Sequence, residues 1–150
     1  MNVEDFQGEL ADVIRATTGL TNVAVVEDDG TYPKIPSLEA SLKDIGLAIV
    51  VFQPTGADLI DAASTGHVYL SVAVKVAIEE RVSFNRSADG TGVTCLEAMR
   101  RVLQQVLGSL GGPNPHSKVM LRNPFVNLNT EHGVQASGFE VVKKFLFSPA

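Results

Sequence analysis

The chain has no tryptophan, two tyrosines, seven phenylalanines and a single cysteine among its 150 residues. With one thiol, Cys95, no disulfide can close within the chain, and nothing points to an oxidising compartment. A core with so few aromatic rings must be built mainly from Val, Leu, Ile and Ala. No apolar run approaches the roughly 18 residues needed to cross a bilayer. The stretch Met1-Asn2-Val3-Glu4-Asp5 lacks a basic segment followed by an apolar one, so no secretory leader is expected there, and the chain is expected in the cytosol when made.

Positive charge is also scarce. Twelve Lys and Arg stand against seventeen Asp and Glu, for a net charge of −5 and a pI of about 5.1. Gripping nucleic acid needs a basic stripe, so wrapping of DNA or RNA is not expected, nor is adhesion to anionic membranes. The basic doublets, Arg100-Arg101 and Lys143-Lys144, read as solvated surface. The three histidines, His67, His116 and His132, lie far from one another and from Cys95, which is not metal-ligand spacing. No metal or cofactor site is expected.

What is present is ordinary globular material. Hydrophobic residues make up 45% and charged residues 19%, enough apolar side chain to fold one domain over residues 1–150. Val3, Phe6, Leu10, Val13 and Ile14 recur at helical spacing, with Asn2 as a cap and Gly19 as a stop. Asn22–Val26 and Leu47–Phe52 read as strands, the second covered on both faces. Residues 68–82 alternate strictly. Val68, Leu70, Val72, Val74, Val76 and Ile78 share one face, and Tyr69, Ser71, Ala73, Lys75, Ala77 and Glu79 the other. A strand of that length reaches roughly 50 Å, whereas a domain of this size is about 40 Å across. It must therefore bend or project.

Thr94 opens a second amphipathic helix, with Glu97 three residues on completing a capping-box pattern and Gly111-Gly112-Pro113 ending it. Short strands are expected at 119–122 and 125–128, a polar turn or open loop at 131–138, and a last strand at 138–147. Extended loops are expected at 29–44, at 55–66 (with a helical turn at 57–63), at 83–92 and at 111–118. The fold class that follows is α+β: a single mixed, mainly antiparallel sheet with two amphipathic helices packed on one face.

Local motifs reduce to structural readings. Asp89-Gly90-Thr91-Gly92-Val93-Thr94 precedes a helix as phosphate loops do, but Val93 stands where the phosphate-gripping lysine would. It reads as a glycine turn into a cap. Cys95 has no partner histidine at fixed distance and reads as a small core side chain. Glu79 and Glu80 are neighbours on a strand, so they point to opposite faces and do not form a catalytic pair. No catalytic residue is expected, and the chain is not expected to be an enzyme. The competing expectation is a small ligand-binding or enzymatic domain with a site at Asp58, Asp61 and His67.

Glu80-Arg81-Val82-Ser83-Phe84-Asn85-Arg86, then Gly90-Thr91-Gly92, then a helix beginning Leu96-Glu97-Ala98, resembles a segment of the phage tail terminator (tail completion) family. The likeness covers residues 79–107 as sequence and most of the chain as element order. Val82-Ser83 stands where that family's segment has an Asn-Pro-like pair. The resemblance implies a virion protein, assembled in the host cytoplasm, with six copies in a ring at the tail neck. Its partners would be copies of itself, the tail tube protein and the head–tail connector proteins. Genomic DNA would pass through the ring without specific binding, and the acidic balance suits such a channel. Inter-subunit contacts are expected at Glu79, Glu80, Arg81, Phe84, Asn85 and Arg86. A head–tail joining, head-closure or baseplate role is the alternative within the same setting.

Overall fold

The computed structural model describes residues 3–54, 57–62, 67–110, 119–128 and 133–147. In chain order the elements are α1 (Phe6–Arg15), β1 (Ala24–Glu27), α2 (Pro36–Asp44), β2 (Leu47–Val51), β3 (Ala57–Ala62), β4 (His67–Arg81), α3 (Val82–Asn85), α4 (Cys95–Leu110), β5 (Met120–Asn127) and β6 (Val134–Phe147). The expected fold class holds. Among the described residues, six strands join one sheet in the order β1-β2-β4-β6-β5, with β3 beside β4. Among these pairings only β1 and β2 run parallel, and the others are antiparallel.

β4 is the strand that the alternation predicts. It pairs with β6 over fourteen consecutive positions, from Val68↔Phe147 to Arg81↔Val134. Its other side is shared. β3 takes His67 to Val72, and β2 takes Val76 to Glu80. β5 meets β6 only between Ala136 and Val142. The first part of β4 and the end of β6 therefore run past β2 and β5, and with β3 they make a three-stranded extension. This resolves the excess length of β4: its end reaches beyond the strands that flank its middle.

The even positions Val72, Val74, Val76 and Ile78 are buried with Phe139 and Val141 beneath α1 and α4. α1 contributes Phe6, Leu10 and Ile14, and α4 contributes Cys95, Ala98, Val102 and Val106. Full burial of each large side chain in this stripe contributes about 1.5–3 kcal/mol. β2 is buried at all five positions, as a strand covered on both faces must be.

Cover on both faces is what the sequence predicts for β2; the helix that supplies the second cover is not. Residues 29–44 contain a helix, α2, on the opposite face, where Leu38 packs with Val26, Ile35, Ala48 and Val50. Pro36 occupies the start of this helix, a position where its missing N–H costs nothing, so it initiates the helix and does not break it. Residues 57–62 are likewise not a helical turn. They form β3, because the first half of β4 offers an unpaired edge to an apolar segment. The loop at 83–92 begins with α3. The expected strands at 119–122 and 125–128 are one strand with a bulge between Arg122 and Phe125, and Asn123 takes a left-handed φ of 51° there. β6 starts at Val134, inside the expected loop. Helix α1 begins at Phe6 with Asp5 at its cap position and no side-chain capping bond. Residues 111–118 and the expected cap Asn2 lie outside the described residues.

Candidate functional site

The even stripe of β4 does not end at Ile78. Glu80 continues it, so its carboxylate enters the core face and is fully buried. Glu79 points the other way and accepts the Tyr32 hydroxyl on the opposite face. The two acids are thus separated by the sheet, as their adjacency requires.

Four hydrogen bonds satisfy the Glu80 carboxylate. The Asn85 amide donates to Oε2 at 2.5 Å, Arg86 Nε to Oε2 at 3.2 Å, Arg86 Nη2 to Oε1 at 3.3 Å, and the backbone N–H of Cys95 to Oε1 at 3.1 Å. Burial alone would push this carboxyl upward. The bonds from Arg86, Asn85 and Cys95, together with the Arg86 charge, outweigh burial and hold it below the usual carboxylate range.

Asn85 is the hub of the node and is itself fully buried. Besides Glu80, its amide donates to the Val93 carbonyl at 2.8 Å. Its side-chain oxygen accepts the Thr91 hydroxyl, and its backbone carbonyl accepts the Gly92 N–H at 2.9 Å. Gly46, with φ at +90°, lies against the Asn85 backbone, and a Cβ there would stand 2.7 Å from Asn85 Cα. The Asn85 side chain therefore ties α3 to β4 and to the turn at 91–93, while its backbone packs against Gly46, just ahead of β2.

The node also explains the phosphate-loop likeness. The anion at the N-terminus of α4 is internal: the Glu80 carboxylate takes the Cys95 N–H, where a helix dipole favours negative charge. Thr94 caps the same end, its hydroxyl accepting the Glu97 N–H at 3.2 Å. The Glu97 carboxylate does not complete the box. It pairs with Arg100 and Arg101, which draw its carboxyl down to about 2. Cys95 is buried, and burial together with the Glu80 charge pushes its thiol up, away from the reactive thiolate. Ser137, the register partner of Ile78, donates its hydroxyl to the Cys95 carbonyl at 2.9 Å.

Two of the six expected contact residues are corrected by this geometry. Glu80 and Asn85 lie wholly inside the chain, because a charged residue in phase with an apolar stripe must bury or break the strand. Neither offers a surface to a partner, and Asn85 in the Asn85-Arg86-Ser87 sequon has no exposed amide. Glu79 and Phe84 are half-buried, and Arg81 and Arg86 are exposed. Arg86 reaches across to Gln135 at 3.2 Å while holding Glu80. Asp58 and Asp61 register against Ser71 and Val68, whereas His67 registers against Ala62, so the ladder gives His67 neither acid as its direct partner. His116 and His132 lie outside the described residues.

On the other face, Lys75 Nζ sits 5.3 Å from the Phe52 ring centre and 4.9 Å from that of Phe125. Tyr32 stacks edge-on against Phe52. Burial, with the hydrogen bond to Glu79 and its charge, pushes the Tyr32 hydroxyl well above its usual range. Among the described residues, no three His, Cys, Asp or Glu side chains gather as metal ligands would. No protein-family model matches the chain, and no curated protein matches it.

Proposed function

We propose that this chain is a non-catalytic structural subunit of a phage tail neck, assembling with copies of itself into a ring that caps the tail tube and meets the head connector. The observation that carries this reading is the node at Glu80. The residues that resemble the tail terminator segment, Glu80, Asn85, Arg86 and Gly90-Thr91-Gly92, meet in space as one closed hydrogen-bonded unit between the long strand and α4. The segment therefore acts as a structural joint. The three-stranded extension supports the same reading, since a ladder running past its flanking strands offers a surface for a neighbouring chain.

The test is direct. The purified chain, alone and mixed with tail tubes, is measured by light scattering and imaged by electron microscopy, and assembled particles are probed for the chain. Rings on tube ends, or density for the chain at the neck, support the reading. A strict monomer that ignores tubes and is missing from particles refutes it. Density at the head-closure or baseplate position would move the ring within the particle.

A further inference from the structure

Charge is divided unevenly across this molecule. Residues 3–29 hold seven acids, Glu4, Asp5, Glu9, Asp12, Glu27, Asp28 and Asp29, against one base, Arg15. Since the whole chain carries only −5, everything after that segment is slightly basic. The fold places the segment at one end of the sheet. α1 lies along β1, the edge strand: Gln7 reaches the Asp28 carbonyl and Arg15 the Val25 carbonyl. Glu4, Asp5, Glu9, Asp12 and Glu27 line one shallow concavity there.

The opposite edge is β5, and its chemistry is the reverse. β5 and β6 together carry Arg122, Lys143 and Lys144 against a single acid, Glu140. Arg122 pairs with Glu140 at 2.9 Å, so the surplus positive charge comes from Lys143 and Lys144, just past the end of the β5 pairing. Several exposed apolar residues lie at this edge: Met120 (59% exposed) on the face away from the helices, Val126 (47%) on the helix face, and Leu128 and Val134 at the strand ends. α4 adds to the helix face. Its Arg101 flank packs toward Gly19 and α1, so the flank bearing Leu96 (45% exposed) and Leu107 (49%) is turned away from α1. Among the described residues, no strand pairs with the outer side of β5.

We infer that a second copy of this chain docks by setting its acidic α1–β1 edge against the basic, apolar β5–α4 edge of the first. The inference rests on the ring reading above and names the surfaces of that contact. Two-fold pairing would set acids against acids or bases against bases, whereas head-to-tail contact joins unlike edges. A contact between different surfaces repeats until the rotation closes it, which is how rings form. The contact is made by side chains and not by strand addition. Arg15 covers the Val25 carbonyl at one edge, and at the other Pro124 and the bulge interrupt the ladder.

Two blocked variants test this. Glu9→Lys with Asp12→Lys disables the acidic edge, and Met120→Glu with Val126→Glu disables the β5 edge. All four side chains are at least partly exposed, so the fold is expected to survive, and thermal unfolding checks it. Leu96→Glu with Leu107→Glu is a second block of the β5–α4 edge should the first unfold. Each variant alone is expected to weaken self-association by about tenfold or more, as measured by sedimentation. An equimolar mixture of the two blocks leaves one good edge on each partner, and is expected to give one-to-one dimers that grow no further. Added salt should weaken the wild-type contact. If the wild type assembles while both blocked variants assemble equally well, the edges are wrong and the ring reading stands. If the wild type stays monomeric at low salt and high concentration, and also on tail tubes, both fail together.

Discussion

Asn85 donates to Glu80 at 2.5 Å across a point where strand, turn and helix meet, and neither side chain is exposed to water. Removing either partner leaves the other short of a buried bond. Glu80→Ala would strand the Cys95 N–H and one Asn85 amide hydrogen, the other still being held by the Val93 carbonyl. A buried unsatisfied group costs about 1–3 kcal/mol, so the expected loss of stability is about 3 kcal/mol or more. Glu80→Gln keeps the shape and should lose less. Urea unfolding of the three proteins checks this. An alanine variant as stable as the wild type would mean that the node contributes nothing.

The same carboxylate sets an acid dependence. The folded Glu80 carboxyl titrates below 4.5, its ordinary value in the unfolded chain. Its contribution is therefore complete above that value and disappears as pH falls through the folded pKa. Wild type and Glu80→Gln should differ most in unfolding free energy above 4.5 and converge as the pH falls below it through the folded pKa. Glu97 and Glu140 are also lowered, but both proteins retain them, so they cancel in the difference.

Two glycines with positive φ separate crowding from backbone strain. Gly30, at φ +101°, has open space where a Cβ would stand. Gly46, at φ +90°, would place one 2.7 Å from Asn85 N. Gly30→Ala should cost about 1–2 kcal/mol from backbone conformation alone, and Gly46→Ala clearly more, because the Asn85 backbone cannot move without opening the node. Thermal melting of the pair shows the difference. Equal effects would argue against close packing at Gly46.

The Cys95 thiol should resist modification in the folded chain. It is 1% exposed, and both burial and the Glu80 charge oppose the thiolate. Labelling with an aromatic disulfide reagent should track global unfolding and accelerate in urea. Fast labelling of native protein would contradict the burial.

The strongest periodicities were legible from sequence. Val72 to Ile78 announces β4, and Leu96 to Leu110 announces α4, because one face of each is apolar at the right spacing. α2 was hidden because it has little apolar stripe of its own and opens with a proline. β3 was hidden because its stability comes from an edge that exists only once β4 is placed. The node was half visible. The alternation already assigns Glu80 to the core face, and Asn85 and Arg86 follow within reach. Burial of a carboxylate is credible only when its donors are in place, and those come from α3, Arg86 and the start of α4, positions that only the folded chain brings together.

The shared strand has a mechanical consequence. β4 and β6 run antiparallel over fourteen positions, and the bonds between them lie across the strand direction. A pull along the strands, applied to β6 at the Phe147 end and resisted on β4 at the Glu80 end, loads that whole ladder in shear, so its bonds must fail together. A pull that peels the extension sideways would instead open them one at a time, starting from Val68↔Phe147. The domain is therefore stiff in one direction and yielding in another, and the strong axis runs from the projecting strands to the joint at Glu80.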